Sequence, residues 1–326
     1  MYTPKVMVFL CEEISHTKFF FNMENAFTAM GIDCIYLVLD LYVYTYMNKR
    51  VGKRAILIKK RLDKYPTKEI IYNTKEYIEQ ELSVQEIKIL YSSAYSYCEK
   101  IGEKYSDVFF ICSQGVKTGE IAVKDYAKKN GKKILFCELS NLPGKTFFDI
   151  EGSNAASYLY KNVEILDKYD VTDDEYKKWR EKYLKCKYQK HIIKQQVNIR
   201  KFNFFAGILS RFGYLYTGIK TRKIDLYQKF LMVVRARMLN VSYDVVDLQN
   251  LDYIFFPLQV SNDSQILLNS NVGLFEALAV SIERAKKEQL ELIVKLHPAE
   301  KNVRVIEKIL KLRKRYGFKI VNENTL

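Results

Sequence analysis

Two polar clusters near the end of the chain hold residues suited to chemistry, and each follows a short apolar run. Asp252-Tyr253-Ile254-Phe255-Phe256 leads into Pro257-Leu258-Gln259-Val260-Ser261-Asn262-Asp263-Ser264-Gln265. Leu290-Glu291-Leu292-Ile293-Val294-Lys295-Leu296 leads into His297-Pro298-Ala299-Glu300. A His at the end of a strand can hydrogen-bond a phosphate oxygen or protonate a leaving group. Pro298 has no N–H and suits the first turn of a helix, whose other N–H groups and dipole attract phosphate. A structural His beside a Pro helix start would look the same in sequence. Gln259, Asn262, Asp263, Ser264 and Gln265 could read a base or ribose, or ligate phosphate. A solvated Asn/Asp/Ser loop capping the next helix accounts for them too.

A third cluster runs from Glu138 through Asn141-Leu142-Pro143-Gly144-Lys145-Thr146 to Asp149, then Gly152-Ser153-Asn154-Ala155. Leu-Pro-Gly-Lys-Thr evokes a phosphate-binding P-loop, but the first Gly of that motif would fall at Leu139, so the NTPase reading fails. What remains is two carboxylates, Glu138 and Asp149, on a loop punctuated by Gly and Pro. Paired carboxylates suit glycosyl chemistry, one as nucleophile or base and one supporting a cationic transition state. Turn formation and capping by Asn154 compete with that reading. His16, after the first apolar run, could line the same edge, and His191 lies in a basic segment.

The elements that must position these clusters follow from hydrophobic periodicity. Val6–Cys11, Ile32–Leu39, Asp107–Cys112 and Lys133–Glu138 read as strands, with helices over Phe19–Met30 and Gly119–Asn130 stopped by Gly31 and Gly131. Continuous apolar strands separated by helices predict an α/β fold with a parallel sheet covered on both faces. The Lys- and Tyr-rich stretch from Tyr44 to Tyr105 reads as helical and peripheral or lid-like. From Ala155 to Val246 the pattern is helical. A second α/β unit then follows, with strands Asp252–Phe256, Leu290–Leu296 and Phe318–Val321 and helices Leu274–Gln289 and Asn302–Tyr316. In open α/β sheets ligands bind at the carboxyl ends of the strands, where Pro143, Pro257 and Pro298 all fall among the chain's five prolines.

With 326 residues, 48% of them hydrophobic, the chain has enough apolar material for two ordinary domains and is not globally disordered. No apolar run reaches the roughly 18–20 residues of a membrane helix. The short first apolar run followed by Glu12-Glu13 does not read as a signal peptide. The six cysteines show no CxxC and no metal-ligand spacing. Cys11, Cys34, Cys112 and Cys137 are expected as small core residues. Formal net charge is +15, and the segment Tyr176–Lys223, with fourteen Lys or Arg against Glu181, carries +13 of it. That segment interleaves aromatics, including Tyr176, Trp179, Tyr183, Phe212 and Tyr216. It fits an anionic membrane surface, an anionic glycan or glycolipid, or a solvated basic helix. Nucleic acid is the least favoured partner.

Taken in order, four motifs resemble the bacterial capsule polysaccharide synthesis family, whose characterised members include Kdo transferases. They are Glu138-x-x-x-Leu142-Pro143-Gly144-Lys145-Thr146, Asp149-x-x-Gly152-x-Asn154-Ala155-x-Ser157, Pro257-Leu258-Gln259-x-x-x-Asp263-Ser264-Gln265 and His297-Pro298-x-Glu300. The resemblance implies a GT-B-like fold of two Rossmann-like domains joined by the basic helical segment. The boundaries expected are 1–160 for an acceptor-side domain bearing the candidate carboxylates, 161–246 for the connector and 247–326 for a nucleotide-binding domain. It further implies retaining transfer of a Kdo-like sugar from a CMP-activated donor in the crevice to an anionic glycolipid or glycan. No cofactor or metal beyond that donor is expected. His297, Pro298 and Glu300 would meet the donor phosphate, and Gln259, Asp263, Ser264 and Gln265 the nucleotide. Asp149, or Glu138 in its place, would act at the anomeric carbon, and Asn141, Gly144, Lys145 and Asn154 would form the acceptor loop. The implied setting is cytoplasmic, at the inner-membrane surface. Family chains run on past a strand like Phe318–Val321. Ending at Asn324-Thr325-Leu326 is therefore expected to leave the nucleotide domain incomplete and donor binding weakened. The competing reading is a non-catalytic polysaccharide- or lipid-binding protein of the capsule machinery.

Overall fold

The computed structural model describes residues 4–140, 145–188, 204–222, 234, 239–297, 300 and 302–322. The chain forms two compact units, Met1–Ile224 and Asp225–Leu326. In the first, the elements run β1 (Val6–Cys11), α1 (Ile14–Ala29), β2 (Asp33–Val38), α2 (Leu41–Val51) and β3 (Ala55–Leu57). Next come α3 (Lys68–Tyr72), α4 (Lys75–Ile78), α5 (Val84–Lys104), β4 (Val108–Cys112), α6 (Thr118–Lys129), β5 (Lys133–Leu139) and β6 (Thr146–Asp149). Then come α7 (Tyr158–Lys161), α8 (Asp173–Tyr188) and α9 (Phe204–Thr217), with short 3-10 helices at Gly52–Arg54, Asn154–Ala156 and Val163–Lys168.

The six strands form one sheet in the order β3-β2-β1-β4-β5-β6. The first five are parallel, and β6 runs antiparallel to β5. The strands are continuously apolar because both faces are covered. Val6, Val8 and Leu10 of β1 join one core cluster with Phe110, Phe136 and residues of α5 and α6. Met7, Phe9 and Cys11 point to the other face and pack with Phe20, Tyr36, Val43 and Met47 from α1, β2 and α2. That is the period-2 alternation of a strand with a helical layer on each side.

Three local readings are corrected. The stretch 44–105 is not peripheral as a whole, because α5 places Ile87, Leu90, Tyr91, Ala94, Tyr95, Cys98 and Ile101 in the core. Within that stretch Ala55–Leu57 adds an edge strand, and Thr146–Asp149, read as loop, is the strand that closes the other edge. Helix α9 belongs to this unit. Gly213 lets it approach α2 so closely that an added Cβ would lie 2.7 Å from Leu41 Cβ. Ser210 Oγ donates to Asp40 Oδ2 at 2.6 Å. Cys11, Cys34, Cys112 and Cys137 are buried in the core, as expected of them, and Cys98 joins them.

The second unit contains β7 (Tyr253–Pro257), α10 (Ser264–Asn269), α11 (Leu274–Glu288), β8 (Glu291–Lys295), α12 (Val303–Tyr316) and β9 (Lys319–Val321). Its three strands are parallel in the order β7-β8-β9. Leu278, Ile282, Leu292, Val294, Ile309 and Ile320 form its core. Arg313 donates to both oxygens of Asp244 at 2.7 and 2.8 Å, pinning the incoming chain beside β9. No helix of the described residues is long and apolar enough to cross a membrane.

Candidate functional site

The second unit brings its two polar motifs to one edge. Pro257 and Lys295, the last residues of β7 and β8, are register partners, and Leu258 N–H donates to Lys295 O at 2.9 Å. The chain then turns, with Asp263 N–H on Val260 O at 3.0 Å, and the Asp263 carboxylate caps α10 through Gln265 N–H at 2.8 Å. From the neighbouring strand, Glu300 N–H closes a turn on His297 O at 3.0 Å. The Glu300 carboxylate joins the motifs. Its Oε2 accepts from Ser261 N–H and its Oε1 from Asn302 N–H, both at 2.7 Å. Gln259 and Asn262 are exposed on this edge, whereas Asp263, Gln265, His297 and Glu300 are half-buried. Pro298 and the side chain of Ser264 lie outside the described residues.

In the first unit Glu138 sits on β5 opposite Phe147 of β6. Asn141 and Gly144 lie outside the described residues, and Lys145 is exposed where its carbonyl meets Ser140 N–H. Asp149 is buried, and its oxygens accept four backbone N–H groups. Oδ1 takes Glu151, Tyr158 and Gly152 at 2.7, 2.8 and 3.3 Å, and Oδ2 takes Leu159 at 3.2 Å. Burial alone would push this carboxyl up, but the four donors together hold it below its ordinary range. The motif Asp149 to Ser157 is thus a turn wound round one carboxylate. Asn154 has the left-handed φ of +53° within it, and Ser157 rather than Asn154 caps α7, through Tyr160 N–H at 3.1 Å.

The sheet order reverses between β1 and β4, and such a switch point opens the crevice where α/β sheets take ligands. A charged cluster that sequence motifs do not reveal sits there. Glu12 and Glu13 follow β1, and Lys117 follows β4. Lys117 Nζ lies 3.4 Å from Glu12 Oε2 and in closer contact with Glu13 Oε1. Glu120 accepts from three successive N–H groups, of Gly115, Val116 and Lys117, at 2.7, 3.1 and 3.2 Å, and from the Ser113 hydroxyl. The turn depends on Gly115, whose φ is +83°. Glu76 accepts from Thr118 N–H at 3.0 Å and from its hydroxyl at 2.9 Å.

Glu12 is the unusual member. Its side chain is 10% exposed, and its buried Oε1 has no hydrogen-bond partner among the described residues. Burial raises its pKa to about 8, with Lys117 opposing and Glu120, Glu76 and Glu13 adding to the rise. Glu13, half-exposed, is lowered to about 2, chiefly by the Lys117 ammonium. Burial would push Lys117 down, but Glu12, Glu13 and Glu120 reverse that and raise it. Glu12 therefore holds its proton to higher pH than an ordinary carboxyl, beside the ion pair of Glu13 and Lys117. Neighbouring carboxyls pushed in opposite directions are a recurrent feature of acid–base sites. The available sequence signal was Glu12-Glu13 directly after a strand. Lys117, Glu120 and Glu76 join it only through the fold.

Among the described residues no group of three His, Cys, Asp or Glu side chains is arranged to hold a metal ion. No family model matches the chain, and no curated protein matches it. Among solved structures it aligns with UDP-N-acetylglucosamine 2-epimerase from Rickettsia bellii at 13% identity and a TM-score of 0.26. The alignment covers 98% of this chain and 68% of that one, and a likeness this slight decides neither fold nor activity.

Proposed function

We propose that the chain is a glycosyltransferase of capsule assembly, GT-B-like in architecture, that takes a Kdo-like sugar from a CMP-activated donor to a glycolipid or glycan acceptor. The observation that carries this reading is the Ser261–Glu300 hydrogen bond. It ties Pro257–Gln265 to His297–Glu300 at the carboxyl ends of adjacent parallel strands, where nucleotides bind in open α/β sheets. The four motifs shared in order with the capsule family support the choice of donor. In this reading exposed Gln259 contacts the nucleotide, His297 meets the phosphate, and Asp263 and Glu300 hold the two loops.

At the sugar, Glu138 is the better nucleophile. Asp149 already accepts four N–H groups, so its role is to hold the turn beside β6. The Glu138 carboxylate would attack the anomeric carbon as CMP departs with the bonding electrons. An acceptor hydroxyl would then displace Glu138, its proton passing to the phosphate of the departed CMP.

Calorimetric titration with CMP, with UDP as control, tests the reading. Selective binding of CMP supports it, and binding of neither nucleotide, or of both equally, overturns the donor assignment.

A further inference from the structure

Helix α8 carries its own start signals, and among its described side chains only Tyr183, Leu184 and Cys186 are half-buried. Thr172 and Glu175 form a capping box at its start, with Thr172 N–H on Glu175 Oε2 at 3.0 Å and Glu175 N–H on Thr172 Oγ1 at 3.3 Å. Asp173, Asp174 and Glu175 fill the first turn, where the helix dipole favours acids. From Val163 to Lys182 every residue except Ile165 is exposed. A helix held by its own cap while displaying its aromatic residues is built to present a surface.

Tyr176, Trp179 and Tyr183 lie on one face at i, i+3 and i+7. Their rings form a ladder, with centroids 6.2 Å apart for Tyr176–Trp179 and 5.2 Å for Trp179–Tyr183, and interplanar angles of 24° and 12°. Tyr176 and Trp179 remain 53% and 47% exposed. At 100° per residue Arg180 flanks this stripe on one side and Lys182 on the other, while Glu181 lies opposite. From Tyr176 to Tyr188 six Lys or Arg face that single acid.

We infer that α8 docks this protein on an anionic membrane surface, its Tyr176–Trp179–Tyr183 stripe at headgroup depth and the flanking Arg180 and Lys182 on the lipid phosphates. Trp and Tyr favour the interface over the acyl core, and basic residues beside such a stripe add attraction to anionic lipid. The ring geometry disfavours a polysaccharide as the occupant. A sugar stacks on an open aromatic face, and Trp179 and Tyr183 turn faces toward each other. The inference does not depend on the proposed transfer activity.

Trp179 is the only tryptophan in the chain, so its emission reports this face directly. The full chain would be titrated with vesicles of phosphatidylglycerol in phosphatidylcholine and with phosphatidylcholine alone, by flotation and by fluorescence. Flotation with a blue shift of Trp179 on the anionic vesicles only is the expected result. Combining Arg180→Gln and Lys182→Gln should weaken binding on the order of 25-fold, about fivefold per charge, with melting temperature and CMP titration unchanged. Absence of flotation overturns the inference. So does flotation with unchanged Trp179 emission, which would place docking elsewhere, or a blue shift produced by polygalacturonate and not by vesicles. If the double variant fails to fold, the wild-type emission with the two vesicle types decides alone.

Discussion

Ser261 N–H donates to Glu300 Oε2 at 2.7 Å, joining loops that lie 39 residues apart in sequence. The same carboxylate holds Asn302 N–H at 2.7 Å through its other oxygen, and Asn302 caps α12 through Arg304 N–H at 3.2 Å. One half-buried side chain therefore fixes the post-β7 loop against the start of the helix after β8. In sequence Glu300 looks like a ligand-binding acid. In the fold both its oxygens are engaged by the backbone, which makes it a positioning residue.

Glu300→Ala removes both acceptors and should lower CMP affinity about tenfold, with a stability loss on the order of 2 kcal/mol from two unpaired backbone donors. Glu300→Gln keeps one acceptor oxygen and should fall between. Calorimetry and denaturant melts separate the effects. Unchanged CMP affinity in the alanine variant would mean that the tie does not organise the nucleotide site.

His297 should behave differently. His297→Ala is expected to remove most sugar transfer while leaving the melting temperature near that of the wild type, because its imidazole is assigned to the donor. Wild-type transfer rates in this variant would remove His297 from the chemistry.

Glu12 should make stability fall with rising pH. Its pKa goes from an ordinary 4.5 to about 8 in the folded chain. Between those values the folded state holds a proton that the unfolded state has released. Its contribution is complete below about pH 4.5 and is lost as pH rises through 8. Glu12→Gln mimics the protonated carboxyl, so it should match the wild type at pH 5 and exceed it by on the order of 3 kcal/mol at pH 8. Denaturant titrations at the two pH values read this directly. Parallel behaviour of the two chains would show that Glu12 is ionised in the fold.

The longer parallel strands were legible because they are continuous apolar runs, and Val6–Cys11 and Lys133–Leu139 fall where periodicity puts them. Ala55–Leu57 and Thr146–Asp149 were not, because three or four residues carry little pattern and their pairing is set by distant partners. Helix α5 reads as amphipathic but polar overall. Its Ser and Tyr content hid the core face, where Tyr91 is buried with its hydroxyl on Asp125 at 2.6 Å. The post-strand motifs were legible as clusters, but not their internal wiring. No local signal says that Asp149 turns its oxygens to the backbone, or that Glu76 and Lys117 meet residues far away in the chain.

Gly119 tests the packing of the switch-point cluster. A Cβ there would fall 2.6 Å from Glu12 Oε1 and 2.8 Å from Leu39 Cδ1. Alanine is the better helix former by about 1 kcal/mol, yet Gly119→Ala should destabilise by about 1–3 kcal/mol through overpacking. In a Glu12→Ala background part of that cost should vanish, leaving the clash with Leu39. A double-mutant cycle in thermal denaturation measures the coupling, and simple additivity would show that Glu12 does not rest against α6.

Asp149 and Glu138 can be told apart by pairing activity with stability. Asp149→Ala leaves four N–H groups of the Glu151–Leu159 turn without their acceptor and should cost on the order of 3 kcal/mol. Asp149→Asn keeps an oxygen for the three donors on Oδ1 and should cost less, with measurable transfer retained. Glu138→Gln should abolish transfer with little change in melting temperature, since it removes a nucleophile but keeps the shape of the side chain. The opposite pattern, a silent Glu138→Gln and a folded but inactive Asp149→Asn, would move the nucleophile to Asp149 and make its four hydrogen bonds the means of keeping that carboxylate ionised.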